Sequence, residues 1–191
     1  MRPLRSWIVA AVLSLSAGTS SAQAPPAEPA GGVRSDLVER AVSAAPPSIA
    51  VGAAVVDVQE DGKMVTLRKG RNGWTCLPHD PGTPTRAPLC LDANGMLWLQ
   101  AAMHGKAPDP DLVGYSYMLK GGSVWSATDP AAEKLPEGEK THVGIPPHMM
   151  VLNARLAEKS GFPSGERRPD VRKPFVLYGG TPFAILILPV E

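Results

Sequence analysis

The sequence predicts a single compact α+β domain with largely antiparallel strands and two or three short helices. Three observations support this fold class. Short apolar, β-branched runs alternate with glycine, proline and asparagine, a pattern typical of strands joined by turns. Helix-forming stretches are few and short, and no repeat of fixed length is present. The chain has 191 residues, of which 43% are hydrophobic, so it is long enough to bury one core.

The first 24 residues have the features of a secretory signal peptide. Arg2 and Arg5 precede an apolar run at residues 7–15, and small residues surround Ala22 and Ala24. The apolar run is about half of the roughly 18–20 residues that a membrane span requires. We therefore expect cleavage after residue 24, a periplasmic or secreted location, and no membrane insertion of the mature chain.

The domain is expected to follow a short leader. Residues 25–34 are rich in proline, alanine and glycine, which predicts a disordered segment. Residues 35–191 then form the single α+β domain. Its first element is a helix at residues 35–42, because a serine and an aspartate can cap it and a pair of prolines follows it.

The next elements are two strands and a turn. Residues 49–58 are rich in alanine and valine and suit a buried strand, while residues 64–69 alternate as a half-exposed strand does. The dipeptide Asn72-Gly73 favours a tight turn because both residues tolerate positive φ. We therefore predict a hairpin that leads into Cys76.

The second half of the chain alternates one helix with several strands. Asp92 can cap a helix that runs to Met103 and ends at Gly105, and we interpret its methionines as core residues. The final apolar run, at residues 183–188, has no polar alternation and predicts a central strand covered on both faces. Further strands are predicted at residues 112–119, 149–152 and 175–178, and polar or charged loops at 127–140 and 158–173.

Cys76 and Cys90 are predicted to form a disulfide. An exported chain reaches an oxidising compartment, where a cysteine pair can persist as a bridge. The thirteen residues between them include four prolines, so the bridge would fix an irregular loop. A metal thiolate pair and a reactive thiol are the alternatives, but this spacing matches no zinc or thioredoxin motif.

Charge and motif content exclude several function classes. The 19 Lys and Arg against 18 Asp and Glu give a formal charge of +1, without the basic excess that nucleic-acid binding requires. Zinc-peptidase, P-loop and dinucleotide-binding motifs are absent from the sequence. Ser116 follows Gly114 as in a nucleophile elbow, but Met118 stands where the second glycine belongs, so we interpret Ser116 as an ordinary strand residue.

Two sets of side chains remain as weak candidates for binding. His142, His148 and Met150 combine imidazole with thioether sulfur, which favours copper, although plain packing is the preferred interpretation. On a strand, His148 and Met150 would point to the same side. The second set comprises the aromatic residues most able to supply binding area, namely Trp74, Tyr115, Tyr117 and Trp125.

The leading hypothesis is a non-catalytic exported domain that binds a small ligand or an envelope protein. No cofactor is predicted. The alternative is a metal-dependent or hydrolase-like enzyme centred on His148, with Asp57 or Asp129 brought close by folding. The enzyme requires His148 to line a cleft with a carboxylate or a second ligand in reach, whereas the binding domain requires an aromatic-walled pocket without one. A structural envelope component would show neither.

Several short motifs resemble those of a group of uncharacterised exported bacterial proteins. The most specific is Asn-Gly-Trp-Thr-Cys-Leu-Pro at residues 72–78, and the others include Leu-Cys-Leu-Asp at 89–92, Pro-His-Met-Met at 147–150 and Gly-Thr-Pro-Phe at 180–183. The resemblance covers most of the domain, from about Ser48 onward. It implies an exported, bacterial, single-domain protein and supplies no catalytic residue, since the group has no established activity.

Overall fold

The computed structural model describes residues 31–190 of the chain. They form one α+β domain with four helices, a mostly antiparallel eight-stranded sheet and a separate two-stranded sheet. The predicted fold class is thereby confirmed. The predicted signal peptide at 1–24 and residues 25–30 of the predicted leader lie outside the described residues.

Fourteen elements follow one another along the chain. The four helices have the bounds α1 Gly31–Val42, α2 Pro47–Ala50, α3 Ala93–Met103 and α4 Ala154–Lys159. The ten strands have the bounds β1 Ala54–Val58, β2 Met64–Arg68, β3 Thr75–Leu77, β4 Leu89–Leu91, β5 Gly114–Met118, β6 Gly122–Val124, β7 Val143–Ile145, β8 His148–Leu152, β9 Phe175–Leu177 and β10 Ile185–Pro189.

The strand order in the large sheet is β2-β1-β3-β4-β5-β8-β10-β9, and β6 pairs with β7 in the small sheet. Every neighbouring pair is antiparallel except β1 and β3, which run parallel. The predicted hairpin between β2 and β3 is therefore wrong, because β1 lies between them. Gly73 does adopt a positive φ of 78°, so the turn exists, but it belongs to a crossover past the start of β1.

The two faces of the large sheet are covered differently. We call the face that carries Met118 and Met150 the core face, because α3 and the small sheet pack on it through Leu99, Val124 and Ile145. The opposite face is covered by α1 over β1, β3 and β4, and by α4 over β8 and β10. We call it the α1 face. Helices thus cover the α1 face at both ends of the strand order, α1 at one end and α4 at the other.

Two other expectations differ from the structure, and the expectation for the last strand agrees with it. Residues 31–34, expected in the disordered leader, are already the first turn of α1. The stretch expected to form one strand at 49–58 begins with the short helix α2 and joins the sheet only at Ala54, because Pro46 and Pro47 start a helical turn. The last strand, β10, is the second from the sheet edge, with Ile187 fully buried on the core face and Leu186 packed beside α4 on the other.

The charged segment before β9 is exposed, as predicted for a solvated face. Arg168 pairs with Glu139, while Arg172 and Lys173 both pair with Asp170. These exposed pairs contribute little to stability. Within residues 31–190, no helix combines the length and the apolar character that a membrane span requires.

Candidate functional site

A pocket of about 260 Å³ lies beside α3, between that helix and the turn that leads into β5. Most of its wall is apolar. It is lined by Asn94, Leu97, Trp98 and Ala101 of α3, by Pro108, Asp109 and Leu112 of the turn, and by Leu152 of β8.

The position of α3 follows from its first residues. Asp92 is the N-cap, and its Oδ1 accepts hydrogen bonds from the backbone N–H of Gly95 (2.7 Å) and of Tyr115 (3.0 Å). One carboxylate therefore joins the helix to β5. The helix and the strand lie very close together, since a Cβ on Gly114 would stand 2.6 Å from the backbone nitrogen of Gly95. This fixes the helix wall of the pocket against the sheet.

Trp98 supplies the aromatic wall of the pocket. Its ring meets that of Phe183 edge to face, with centroids 6.1 Å apart and planes at 89°. Its Nε1 is buried and has no hydrogen-bond acceptor among the described residues. Buried donors without a partner are uncommon in proteins, so this indole has a hydrogen bond left to make.

The other polar groups of the pocket are largely engaged. Asn94 donates from Nδ2 to the carbonyl of Val113 at 2.9 Å. Asp109 accepts the N–H of Asp111 at 2.9 Å through Oδ1 and is exposed at the rim. Among the described residues, Asp109 is thus the only charged side chain of the lining. The pocket is suited to an uncharged molecule.

The sequence did not single out Trp98. It lies in a run of four consecutive apolar residues, Met96-Leu97-Trp98-Leu99, which is more than one buried helix face can accommodate. Met96 and Leu99 turn to the core as predicted, while the side chain of Leu97 remains 52% exposed. The excess of apolar residues was the signal for a second apolar side of this helix, the side that lines the pocket.

Three of the four predicted aromatic residues come together on the α1 face. Tyr115 and Tyr117 lie on β5, and Trp74 contacts Tyr117 with ring centroids 5.4 Å apart. Tyr115 is more accessible than Tyr117, with 40% of its surface exposed. Trp125 directly follows β6 in the small sheet and does not join this group. The three form an aromatic strip in the middle of the face, between α1 and α4.

His148 is buried instead of lining a cleft. It is 1% exposed, and its Nδ1 lies 2.6 Å from the carbonyl of Pro146, which can only accept, so Nδ1 carries the proton. Burial lowers the pKa of His148, and the bond to Pro146 partly opposes this effect. No carboxylate contributes to the shift. The predicted pairing of His148 with Asp57 or Asp129 has no support in this geometry.

Met150 and His142, the other two members of the predicted metal-binding set, do not form a metal-binding arrangement with His148. Met150 shares the core face with His148 and is 8% exposed, which agrees with a packing role. His142 is exposed, and β7 and two prolines separate it from His148. In the described part of the chain, no three His, Cys, Asp or Glu side chains come close enough to hold a metal ion. Copper, which the sequence offered only as an alternative to packing, stays untested.

A second group of ionisable residues lies in loops. Burial raises the pKa of Asp80 to about 7. Burial also raises the pKa of Tyr178, and the negative charges of Asp80 and Asp129 raise it further. The backbone of Tyr178 is left-handed, with φ of 58°, an uncommon conformation for a residue other than glycine. Asp129 therefore lies near Tyr178.

Ser116 is an ordinary buried residue, as the sequence predicted. It is fully buried on the core face, and its Oγ has no partner among the described residues. Its directly opposite neighbours across the sheet are Leu91 and Met150, neither of which is a base.

No protein-family model, curated protein or solved structure matches this chain.

Proposed function

We propose that this protein is an exported, non-catalytic binding domain that holds a small, uncharged, mainly apolar molecule in the pocket beside α3. The observation that carries the proposal is the position of Trp98, which forms the wall of an apolar pocket and keeps an unused indole N–H. Tryptophan supplies a large, rigid contact area, and apolar pockets with few polar groups are typical of small-molecule sites.

The size of the pocket limits its ligand. An apolar cavity of about 150 Å³ holds benzene in another protein. A pocket of about 260 Å³ therefore suits a single ring with a short substituent. Asp109 at the rim disfavours anions, and burying any charge without a partner is costly. The Trp98 ring supplies aromatic contact area to the ligand, while its Nε1 lies buried beneath the surface.

Binding is favoured over catalysis by what surrounds His148. The enzyme hypothesis needs this imidazole in a cleft, but His148 is absent from the lining of the α3 pocket and is almost completely buried. Its Nδ1 is held by Pro146, and no carboxylate perturbs it. The pocket with the aromatic wall contains no nucleophile and base pair.

Export is supported by the N-terminal pattern and by the disulfide. Bridge formation between Cys76 and Cys90 needs an oxidising compartment in most organisms. Cell fractionation followed by N-terminal sequencing tests this part. We expect the mature chain outside the cytoplasm, beginning near residue 25. An intact N-terminus on a chain with two reduced thiols in the cytoplasm would contradict export.

Binding can be tested with acetophenone, an uncharged single ring that carries a carbonyl acceptor. Titration into ¹⁵N-labelled protein should shift the indole resonance of Trp98 and the amide of Leu97. The variant Ala101→Leu fills the pocket and should weaken binding at least about tenfold, equivalent to about 1.4 kcal/mol. Ala102→Leu is the matched control, because Ala102 lies on α3 but does not line the pocket.

Two outcomes would overturn the proposed function. One is the absence of any shift at α3 at millimolar acetophenone. The other is an affinity for acetophenone that Ala101→Leu and Ala102→Leu reduce equally. The variant Trp98→Phe keeps an aromatic side chain in the wall but reduces its contact area, and it should weaken acetophenone binding.

A further inference from the structure

A second cleft, of about 380 Å³, lies at the other sheet, between the β5–β6 turn and the segment that joins β7 to β8. Its wall is rich in glycine and proline. The residues that matter here are Lys120, Gly121, Gly122, Gly144, Pro146 and Pro147.

Two of its three glycines are explained by the fold. Gly121 has a positive φ of 68°, and a Cβ there would stand 2.8 Å from the carbonyl oxygen of Ile145. At Gly122 a Cβ would meet the Cε of Met118 at 2.8 Å. Gly121 excludes a larger residue because of its backbone, whereas at Gly122 the flexible end of the buried Met118 side chain would have to shift.

Gly144 has no such explanation. It is the exposed middle residue of β7, between buried neighbours on both sides, and its φ lies outside the left-handed region. A Cβ at this position would meet no heavy atom within 4 Å. Glycine within a strand is unfavourable by about 0.5–1 kcal/mol relative to alanine. No packing or backbone constraint among the described residues requires this glycine, and its effect is to leave the cleft open.

The walls of the cleft are held in place by hydrogen bonds. The carbonyl of Pro146 accepts from Nδ1 of His148 at 2.6 Å, and that of Pro147 accepts the N–H of Val190 at 2.9 Å. On the opposite wall, the N–H of Thr85 donates to Oγ of Ser123 at 3.2 Å. A pre-formed site loses less conformational entropy when a ligand binds. The buried His148 thus acquires a structural role beneath the cleft.

Charge decides what the cleft accepts. Lys120 is the only charged side chain of the lining, and it has no ion-pair partner within residues 31–190. The rings of Pro146 and Pro147 provide a rigid apolar surface beside it. We infer that this cleft binds a small carboxylate, whose anionic group contacts Lys120 and whose apolar body packs over Gly144 and the two prolines.

The two sites differ in the charge that they select. The α3 pocket carries Asp109 and takes an uncharged ligand, whereas the cleft carries Lys120 and takes an anion. They share no lining residue. Each proposal can therefore fail without the other.

The test uses benzoate and its uncharged counterpart benzamide as probes in ¹⁵N-resolved titrations of the mature chain. Benzoate should shift the amides of Gly121 and Gly144 and bind at least fivefold more tightly than benzamide. Lys120→Met should remove this preference. Gly144→Val should abolish the shifts, because its side chain occupies the cleft, and valine is well tolerated in strands.

Three results would overturn the inference. Benzamide could bind as tightly as benzoate, Gly144→Val could retain the benzoate affinity, or Ala101→Leu could abolish it. The last result would place benzoate in the α3 pocket. If Gly144→Val fails to fold, as judged by its amide spectrum, Gly144→Ala provides a smaller obstruction and should weaken benzoate binding at least threefold. An unchanged affinity in that variant would also overturn the inference.

Discussion

Cys76 and Cys90 occupy directly opposite positions on the neighbouring antiparallel strands β3 and β4, and their disulfide is fully buried beneath α1. The Sγ of Cys90 lies 3.6 Å from the carbonyl oxygen of Ala41. The bridge therefore does more than close the proline-rich loop predicted from the sequence. It is part of the surface on which α1 packs.

Removal of this bridge should destabilise the domain considerably. The cysteines are 14 positions apart, and closing a loop of that length is worth about 3 kcal/mol in the chain-entropy model. We expect the double variant Cys76→Ala/Cys90→Ala to lose about 2–4 kcal/mol in urea unfolding. Wild-type protein unfolded in the presence of a reductant is the control and should lose a similar amount. A loss below about 1 kcal/mol would contradict the prediction.

Asp92 should be essential for the attachment of α3. Its Oδ1 serves two backbone donors, those of Gly95 and Tyr115, so Asp92→Ala removes a helix cap and a contact to β5 together. We expect a loss of about 1–2 kcal/mol in stability and weaker acetophenone binding. Asp92→Asn keeps a side-chain oxygen at this position and should retain most of both. Equal stability of the two variants would show that the shared oxygen is unimportant.

The cap at Asp92 was predictable because its signals are local. Asp92 and Gly105 mark both ends of α3 within a few residues of the helix itself, and the structure has the helix between them. The positions of β2 and β3 in the sheet were not predictable in the same way. Nothing in the sequence around Asn72 and Gly73 says that β1 inserts between those strands, because strand pairing is set by contacts distant in sequence.

None of the residues predicted to bind a ligand lines the α3 pocket, and the reason is related. Strand alternation places Tyr115 and Tyr117 on one face of β5, but the pocket at Trp98 depends on where the turn containing Pro108 and Asp109 returns to α3. A helical repeat predicts which residues share a face. It does not predict which face meets the core and which meets a loop.

Two glycines provide a matched test of close packing. A Cβ on Gly70 would stand 2.2 Å from the backbone nitrogen of Ala54, where the crossover passes β1, whereas a Cβ on Gly144 would meet nothing. We expect Gly70→Ala to cost at least about 3 kcal/mol or to prevent folding, since backbone must shift to admit it. Gly144→Ala should be neutral or stabilising by up to about 1 kcal/mol. Thermal unfolding of both variants measures the contrast, and similar melting temperatures would refute it.

Asp80 should make the domain less stable at high pH. The pKa of its carboxyl is about 7 in the folded chain, compared with an ordinary value of 3.8. Between these two pH values the folded state therefore retains a proton that the unfolded state has lost. This contribution is fully present below pH 3.8 and is lost as pH rises through 7. Asp80→Asn removes the titration. Its stability relative to wild type should therefore increase between pH 4 and pH 8, by at least about 1 kcal/mol. A constant difference across that range would contradict burial of the carboxyl.

The titration of His148 should make the domain less stable as the pH falls, which is the opposite of the effect of Asp80. The folded pKa of His148 lies below the ordinary value of 6.5, so below that pH the unfolded chain binds a proton that the folded chain excludes. This contribution is fully present above pH 6.5 and is lost as pH falls through the folded pKa, with a slope of at most about 1.4 kcal/mol per pH unit. His148→Gln is neutral and can still donate to Pro146. The deficit of this variant relative to wild type should therefore shrink by about 1 kcal/mol between pH 7.5 and 5.5. Urea unfolding at both pH values measures this difference, in which the carboxylates common to both proteins cancel. A deficit that grows on acidification would mean that the imidazole is protonated in the folded state.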